Sequence, residues 1–393
     1  MKSRLRLVVA VVLVGLFLAY PVGARTITAW IFGWSQPEQK GIDEAIALFE
    51  EQNPDIEVDK SVYGGDIVNK LSVAVAGGAP PDLVLLSGVN YATLVRNGAV
   101  MPIGSYFAKS KLWDKLIPQL REIATFEGEE YGVPGIAVYP LDGFVWNKRL
   151  FEEAGLSPLS HDRVLSWQDL AGMNRKLVRR DGDGTLVQVG YLPYEGRNGN
   201  LDVVETYFGL QAFEGAKTML DTPGFVDALA FLDEHFVLSV GAQEVLGLVG
   251  QGSWYAIGRG ATAMANLGGY APEALAQRAP DEEFGVTWHP NPTGNKRQQI
   301  VSFVNVIPRG AKNPDDAWRL AEFFATSYEA MQRIHASTAF YGPSREFIGR
   351  FRPREEMPLW YMLSLASADY LRPEVPFASA YLPTWSAFSA ARV

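Results

Sequence analysis

No cysteine occurs among the 393 residues. The chain therefore uses no disulfide, even in an exported compartment, and cannot be lipid-anchored through an N-terminal cysteine. Histidine is nearly as scarce: His161, His235, His289 and His335 show no HExxH-type pairing, and there is no cysteine to join them in a zinc site. GxSxG, GxGxxG and GxxxxGK are all missing, which removes support for acyl transfer from a nucleophile elbow and for the common nucleotide sites. Positive charge is in deficit, with 35 Lys+Arg against 44 Asp+Glu, so nucleic acid and other polyanions are not expected partners. Beyond the N-terminus no apolar run reaches the ~20 residues that span a bilayer. There is no internal repeat and no low-complexity tract.

Carboxylates are abundant, but 44 acids make chance pairs certain and nothing singles out a glycosidase couple. Asp181-Gly182-Asp183-Gly184-Thr185 resembles the start of a calcium loop. Its glycine falls at the fourth place instead of the sixth, and Leu192 stands where a bidentate Glu belongs, so a solvated turn is expected. The chain is expected to be no enzyme and to need no cofactor or metal.

What is present starts with an address. Lys2, Arg4 and Arg6 precede the apolar Leu7–Tyr20, and Val22-Gly23-Ala24 fits a small-x-small cleavage site. Residues 1–24 read as a signal peptide, leaving 369 residues from Arg25 with 32 Lys+Arg, 44 Asp+Glu and a formal charge of −12. That length predicts two or three domains at ~150 residues each, and two lobes are favoured. With 48% hydrophobic and 20% charged residues, the composition is that of a globular protein.

Thr26–Phe32 alternates like a strand, Ile42, Ile46 and Phe49 form the stripe of a helix stopped by Asn53-Pro54, and Ile56–Val62 is a second strand. Ile67, Leu71, Ala74 and Val75 give the next helix a buried face, and Asp82–Leu86 reads as a strand covered on both sides. Strand, helix, strand, helix, strand predicts an α/β lobe with a mostly parallel sheet. Ligands of such sheets lie beyond the carboxyl ends of the strands. Those ends carry Trp34 and Ser35, Tyr63 and Asp66, and Ser87 and Asn90. Later helices are expected from Ser166 with Asp169 as cap, over Phe225–Phe236 with Val226, Leu229 and Leu232 buried, and over Asp316–Ser327.

Glu130–Leu156 reads as the passage from one lobe into the other. Ile136–Tyr139 and Phe144–Trp146 are short strands around a break at Pro140–Gly143, and from Asn147 a helix runs to Gly155. A surface turn within one sheet is the alternative. Aromatics make up 12% of the chain. Most belong to the core, but Trp34, Tyr63, Tyr139, Trp254, Tyr270 and Tyr341 adjoin Gly or Pro turns, where function concentrates.

The opening strand with Trp34, FEEQNPDIEV, AGGAPPDLVLLS, EYGVPGIAVY…FVWNKRLFEEAGL, SWQDL, RDGDGT and IPRGAKNPDDAWRLAEFF occur in an order that resembles the extracellular solute-binding proteins of ABC importers, in the maltose-binding-like, carbohydrate-binding branch. The resemblance implies a periplasmic-binding-protein-like fold of two discontinuous α/β lobes: 26–138 plus 291–340, and 141–288 plus 344–393, with ligand in the cleft between them. It implies a soluble periplasmic monomer that captures a sugar or oligosaccharide and delivers it to permease subunits. Tyr139 and Asp142 fall on the crossing, Gly269-Tyr270 on a G-G-aromatic turn, and Tyr341 with Arg345 on a late aromatic/Pro/Arg turn; Trp254 has no family counterpart. The pattern blurs at Ile257–Met264 and in the final segment. A polyol phosphate or polyamine ligand is the alternative within this architecture, and a secreted glycosidase or adhesin the alternative outside it.

Overall fold

The computed structural model describes residues 24–33, 36–88, 91–140, 143–160, 162–192, 208, 210, 213–214, 217–249, 253–267, 275, 278–291, 294, 298–338, 340–350 and 371–373. The chain opens as the sequence pattern requires: β1 Arg25–Phe32, α1 Gln36–Gln52, β2 Ile56–Tyr63, α2 Ile67–Ala76 and β3 Leu83–Ser87. Ile27, Ala29 and Ile31 alternate into the core from β1, and Asn53 ends α1 by donating Nδ2–H to the Phe49 carbonyl at 2.7 Å. β1 lies parallel to both β2 and β3. Leu83–Leu86 is buried on both faces, but the far neighbour of β3 is antiparallel. On α2, Ile67 and Leu71 are buried whereas Ala74 and Val75 are half-exposed, so the buried face is narrower than expected.

β4 Gly132–Pro140 leads to β5 Gly143–Asn147. Asn147 then caps α3 Lys148–Glu153 by accepting the Leu150 N–H at 3.0 Å, and Gly155 takes the left-handed φ of 64° that stops it. Ser166 and Asp169 form the expected capping box of α4 Trp167–Leu177. β6 Arg179–Arg180, β7 Leu186–Leu192, α5 Pro223–Leu232, α6 Ser253–Gly258, β8 Thr262–Leu267 and β9 Phe284–Thr287 follow. The face of α5 differs from expectation. Phe225, Ala228 and Leu232 are buried while Val226 is 51% exposed, so the buried stripe runs through Phe225 and on to Phe236 in the π-helical segment, Asp233–Leu238, that continues the helix.

β10 Gln298–Val306, α7 Pro314–Thr326, α8 Tyr328–Thr338, α9 Arg345–Arg350 and β11 Leu371–Pro373 complete the described chain. Two sheets result. The first runs β11-β10-β3-β1-β2 with β4 also on β10, and the second β9-β5-β8-β7-β6. Both are mixed. In the second only β7 and β8 are parallel, since the crossing strands β5 and β9 enter and leave in opposite directions. The described parts of 344–393 lie with the first sheet, where the resemblance would put them with the second. β11 pairs with β10, Phe347 of α9 is buried in the same core as Met331, and Ser344 bridges Leu116. The largest buried cluster takes in Ile27, Leu85 and Phe303 from the first sheet and Val145, Ala265, Val286 and Trp288 from the second.

Candidate functional site

Strand register fixes where the expected ligand-facing residues stand. Phe32 is paired with Tyr63, and Gly33 N–H donates to the Tyr63 carbonyl at 2.6 Å. Ser87 is opposite Phe303, Ser302 opposite Val138, and Val301 opposite Tyr139. Tyr63, Gly33, Ser87 and Tyr139 therefore share one edge of the first sheet, at the carboxyl ends of β1, β2 and β3. β4 leaves from that edge at Pro140 and β5 begins at Gly143, so the gap between the two sheets is at most about 11 Å along the chain. On the far side Gly143 pairs with Leu267, and Phe144 with both Asn266 and Thr287. Tyr191 and Leu192 end β7 beside Met264 and Ala265. The carboxyl ends of β7 and β8 thus meet those of β1, β2 and β3 across the crossing, the position at which α/β sheets take ligands.

Side chains at this edge differ in their freedom. The Tyr63 ring is half-buried, 4.5 Å from Trp30, with Lys70 Nζ 4.9 Å above it, and Lys70 pairs with Asp66 at 3.2 Å. Trp30, Tyr63, Asn69, Lys70, Val73 and Ala74 line a shallow groove of about 390 Å³ beside the edge. Gly88 is pressed on β10: a Cβ there would lie 2.7 Å from the Ser302 carbonyl. Tyr341 is wholly buried, exchanges backbone hydrogen bonds with Val138 at 2.9 and 3.1 Å, and packs 5.1 Å from the His335 ring. Arg345 donates Nε–H to the Leu116 carbonyl at 2.9 Å. Trp254 stands in the first turn of α6, on the segment leading into the amino end of β8. Trp34, Ser35, Asn90, Asp142 and Tyr270 lie outside the described residues.

The second sheet contributes polar groups that turn chemistry did not single out. Tyr191 O–H donates to Asn266 Oδ1 at 3.1 Å, and Thr287 O–H to the Ser160 carbonyl at 2.9 Å. Asn266, Thr287 and His289 are buried at the same edge. Their signal is compositional: a lone amide within Thr262–Leu267, and a lone imidazole after an apolar strand, in runs that otherwise read as core.

Elsewhere the charged groups are structural. Asp181 Oδ1 accepts the N–H groups of Asp183 and Thr185 at 3.0 and 2.9 Å, closing the calcium-like stretch as an Asx turn. Among the described residues no group of three or more His, Asp or Glu is arranged to hold a metal. The Arg25 guanidinium holds the Asp316 carboxyl below the usual carboxylate range, against the opposing effect of burial. Burial, with the Asp315 carboxylate, pushes the Tyr106 hydroxyl up to about 12.

The model of the bacterial extracellular solute-binding protein family matches residues 33–330. The chain belongs to that family. Solved structures with the same fold include CpMnBP1 with mannotriose bound, 21% identical over 93% of this chain and 94% of that one, with a TM-score of 0.77. The ABC substrate-binding protein of Listeria monocytogenes in complex with cycloalternan is 20% identical over 93% and 91%, TM-score 0.71. The sugar-binding protein MalE of Xanthomonas citri is 20% identical over 92% and 89%, TM-score 0.70. No curated protein matches by sequence. In this solute-binding protein no helix of the described residues is long and apolar enough to cross a membrane.

Proposed function

We propose that this solute-binding protein captures a sugar or oligosaccharide between its two sheets and hands it unaltered to the permease subunits of an ABC importer. The observation that supports this most directly is the juxtaposition of two sheet edges across the Pro140–Gly143 crossing. One carries Tyr63, Ser87 and Tyr139; the other carries Asn266 and Thr287. Aromatic faces with short hydroxyl and amide groups suit a sugar, whose C–H faces stack while its hydroxyls exchange hydrogen bonds. Similar solved structures hold mannotriose and cycloalternan. In this reading residues 26–138 plus 291–340 form one lobe and 141–288 the other, the described parts of 344–393 join the first, and Trp34, Asp142 and Tyr270 complete the ligand contacts. The mature chain acts as a monomer outside the cytoplasm after cleavage near Ala24.

The energetics require both lobes. A stacked ring adds ~0.5–1.5 kcal/mol beyond area burial and a hydrogen bond a net ~1, while moving a hinge from mostly open to mostly closed takes ~5.5 kcal/mol. Contacts from one edge alone fall short. The test is a thermal-shift screen with mannobiose, mannotriose, maltose, tagatose and cycloalternan beside glycerol 3-phosphate and spermidine, followed by X-ray scattering. A sugar at 100 times Kd adds ~2.7 kcal/mol of stability and compacts the protein. A shift with phosphate or amine alone transfers the role to that ligand class, and release of reducing sugar from a bound oligosaccharide would replace capture by hydrolysis.

A further inference from the structure

β4 and β10 are the strands by which the chain leaves and re-enters the first sheet, so any rotation of one lobe against the other twists their ladder. The ladder is broken where that twist would act. Between the pairs Val138↔Ser302 and Pro134↔Val304, three residues of β4, Gly135, Ile136 and Ala137, stand opposite Phe303 alone. This is a special bulge of three residues against one, whose extra peptides lie outside the paired register. Gly135 is pressed against β10 and β3: a Cβ at that residue would be 2.8 Å from Asn305 Nδ2, 3.0 Å from the Phe303 carbonyl and 3.0 Å from Leu85 Cδ1.

Asn305 is the anomaly at this place. It is 0% exposed, and neither Nδ2 nor Oδ1 has a hydrogen-bond partner. A leucine has the same branching and would leave no donor or acceptor unpaired, whereas a buried amide left in that state is costly. An unsatisfied amide against the bulge of a crossing strand is what a two-state hinge requires in the state where the bulge is disengaged. We propose that Asn305 is a positioning residue for lobe closure, its amide taking up the peptide groups of the Gly135–Ala137 bulge when the lobes close on ligand. Closure then relieves a cost that the ligand-free state carries, which adds to the ligand's own contacts. The inference rests on the functional reading above for its ligand arm only.

The test compares wild type with N305L. Without ligand, N305L melts several degrees higher, because it removes the unpaired amide. With mannotriose, or whichever sugar of the screen gives wild type the largest shift, its Kd is about ten-fold weaker, the size expected for one hydrogen bond made only in the closed state. Hydrogen exchange at residues 135–137 slows on sugar binding in wild type and does not in N305L. A purely structural asparagine would instead lower the ligand-free melting temperature when removed. A lower melting temperature, a variant that fails to fold, or a Kd within about two-fold of wild type overturns the proposal. Should no sugar shift the wild type, the functional reading fails, and the ligand-free comparison still decides: a raised melting temperature upholds the disengaged amide and a lowered one overturns it.

Discussion

Gly190 lies on β7 one residue before Tyr191, whose hydroxyl holds Asn266 at the sheet edge. Replacing it with alanine places a Cβ 2.6 Å from Asn174 Oδ1, 2.7 Å from Asn174 Cα and 2.8 Å from the Asn174 carbonyl. Rotating the Asn174 side chain relieves only the first contact; the other two are backbone of α4, so the whole helix must retreat. That movement breaks the Tyr191 N–H bond to Asn174 Oδ1, 2.8 Å, and strains the Asn174 Nδ2–H bond to the His235 carbonyl, 3.1 Å. Overpacking costs ~1–3 kcal/mol and each lost hydrogen bond ~1, while the smaller entropy of the unfolded alanine chain offsets ~0.4–1. The net destabilisation is about 2–4 kcal/mol, a fall in melting temperature on the order of 10 °C for a lobe of this size. Urea unfolding followed by tryptophan fluorescence measures it. The discriminating variant is N174A/G190A, which removes the 2.6 Å contact and leaves the backbone contacts. It should be no more stable than G190A. Full rescue in the double variant, or a G190A within about 0.5 kcal/mol of wild type, would refute a backbone-limited packing of helix on strand.

Tyr341→Ala should destabilise by about 3–5 kcal/mol, as truncation of a fully buried aromatic does, with any loss of ligand binding tracking the unfolded fraction; a folded variant that loses only affinity would return Tyr341 to the ligand. Ser87→Trp, at the half-buried edge position opposite Phe303, should weaken sugar binding more than ten-fold with little change in ligand-free melting, and unchanged affinity would move the ligand elsewhere. Asp316 is held below its ordinary pKa by Arg25, so its contribution to stability is present above the unfolded value of about 4 and is lost as pH falls through the lower folded value. D316N should therefore melt below wild type at pH 7 and converge on it as pH falls through the lowered folded value; a gap that stays constant with pH would discount the Arg25 pairing.

Much of the fold was legible where its elements are local. Alternation in β1, the apolar run of β3, the Ser166–Asp169 capping box and the Asn147-to-Gly155 helix each declare themselves within a few residues. Periodicity failed where two apolar stripes compete on one helix. On α5 the stripe through Phe225, Ala228 and Leu232 is the buried one, and Val226, one residue on, is exposed. The sense of the second sheet was not legible, because the same apolar strand can pair either way and the crossing strands decide it.

The candidate site divides along the same line. Tyr63, Ser87 and Tyr139 were singled out because a turn or strand end marks each of them, yet turn chemistry alone does not say which way a side chain points. Tyr341 satisfies the same criterion and is buried, since its backbone is taken as a partner by Val138 and its ring is held by His335. Asn266, Thr287 and Asn305 carry no turn signal at all. Each is a polar residue between two apolar neighbours, which a sequence reading assigns to the core. Burial does follow for all three, but a buried amide is tolerated only where something meets it. Asn266 Oδ1 is met by Tyr191, whereas neither polar atom of the Asn305 amide has a partner. Periodicity alone assigns such residues to the core, and strand register is what places Asn266 and Thr287 at the edge where the chain crosses between the sheets.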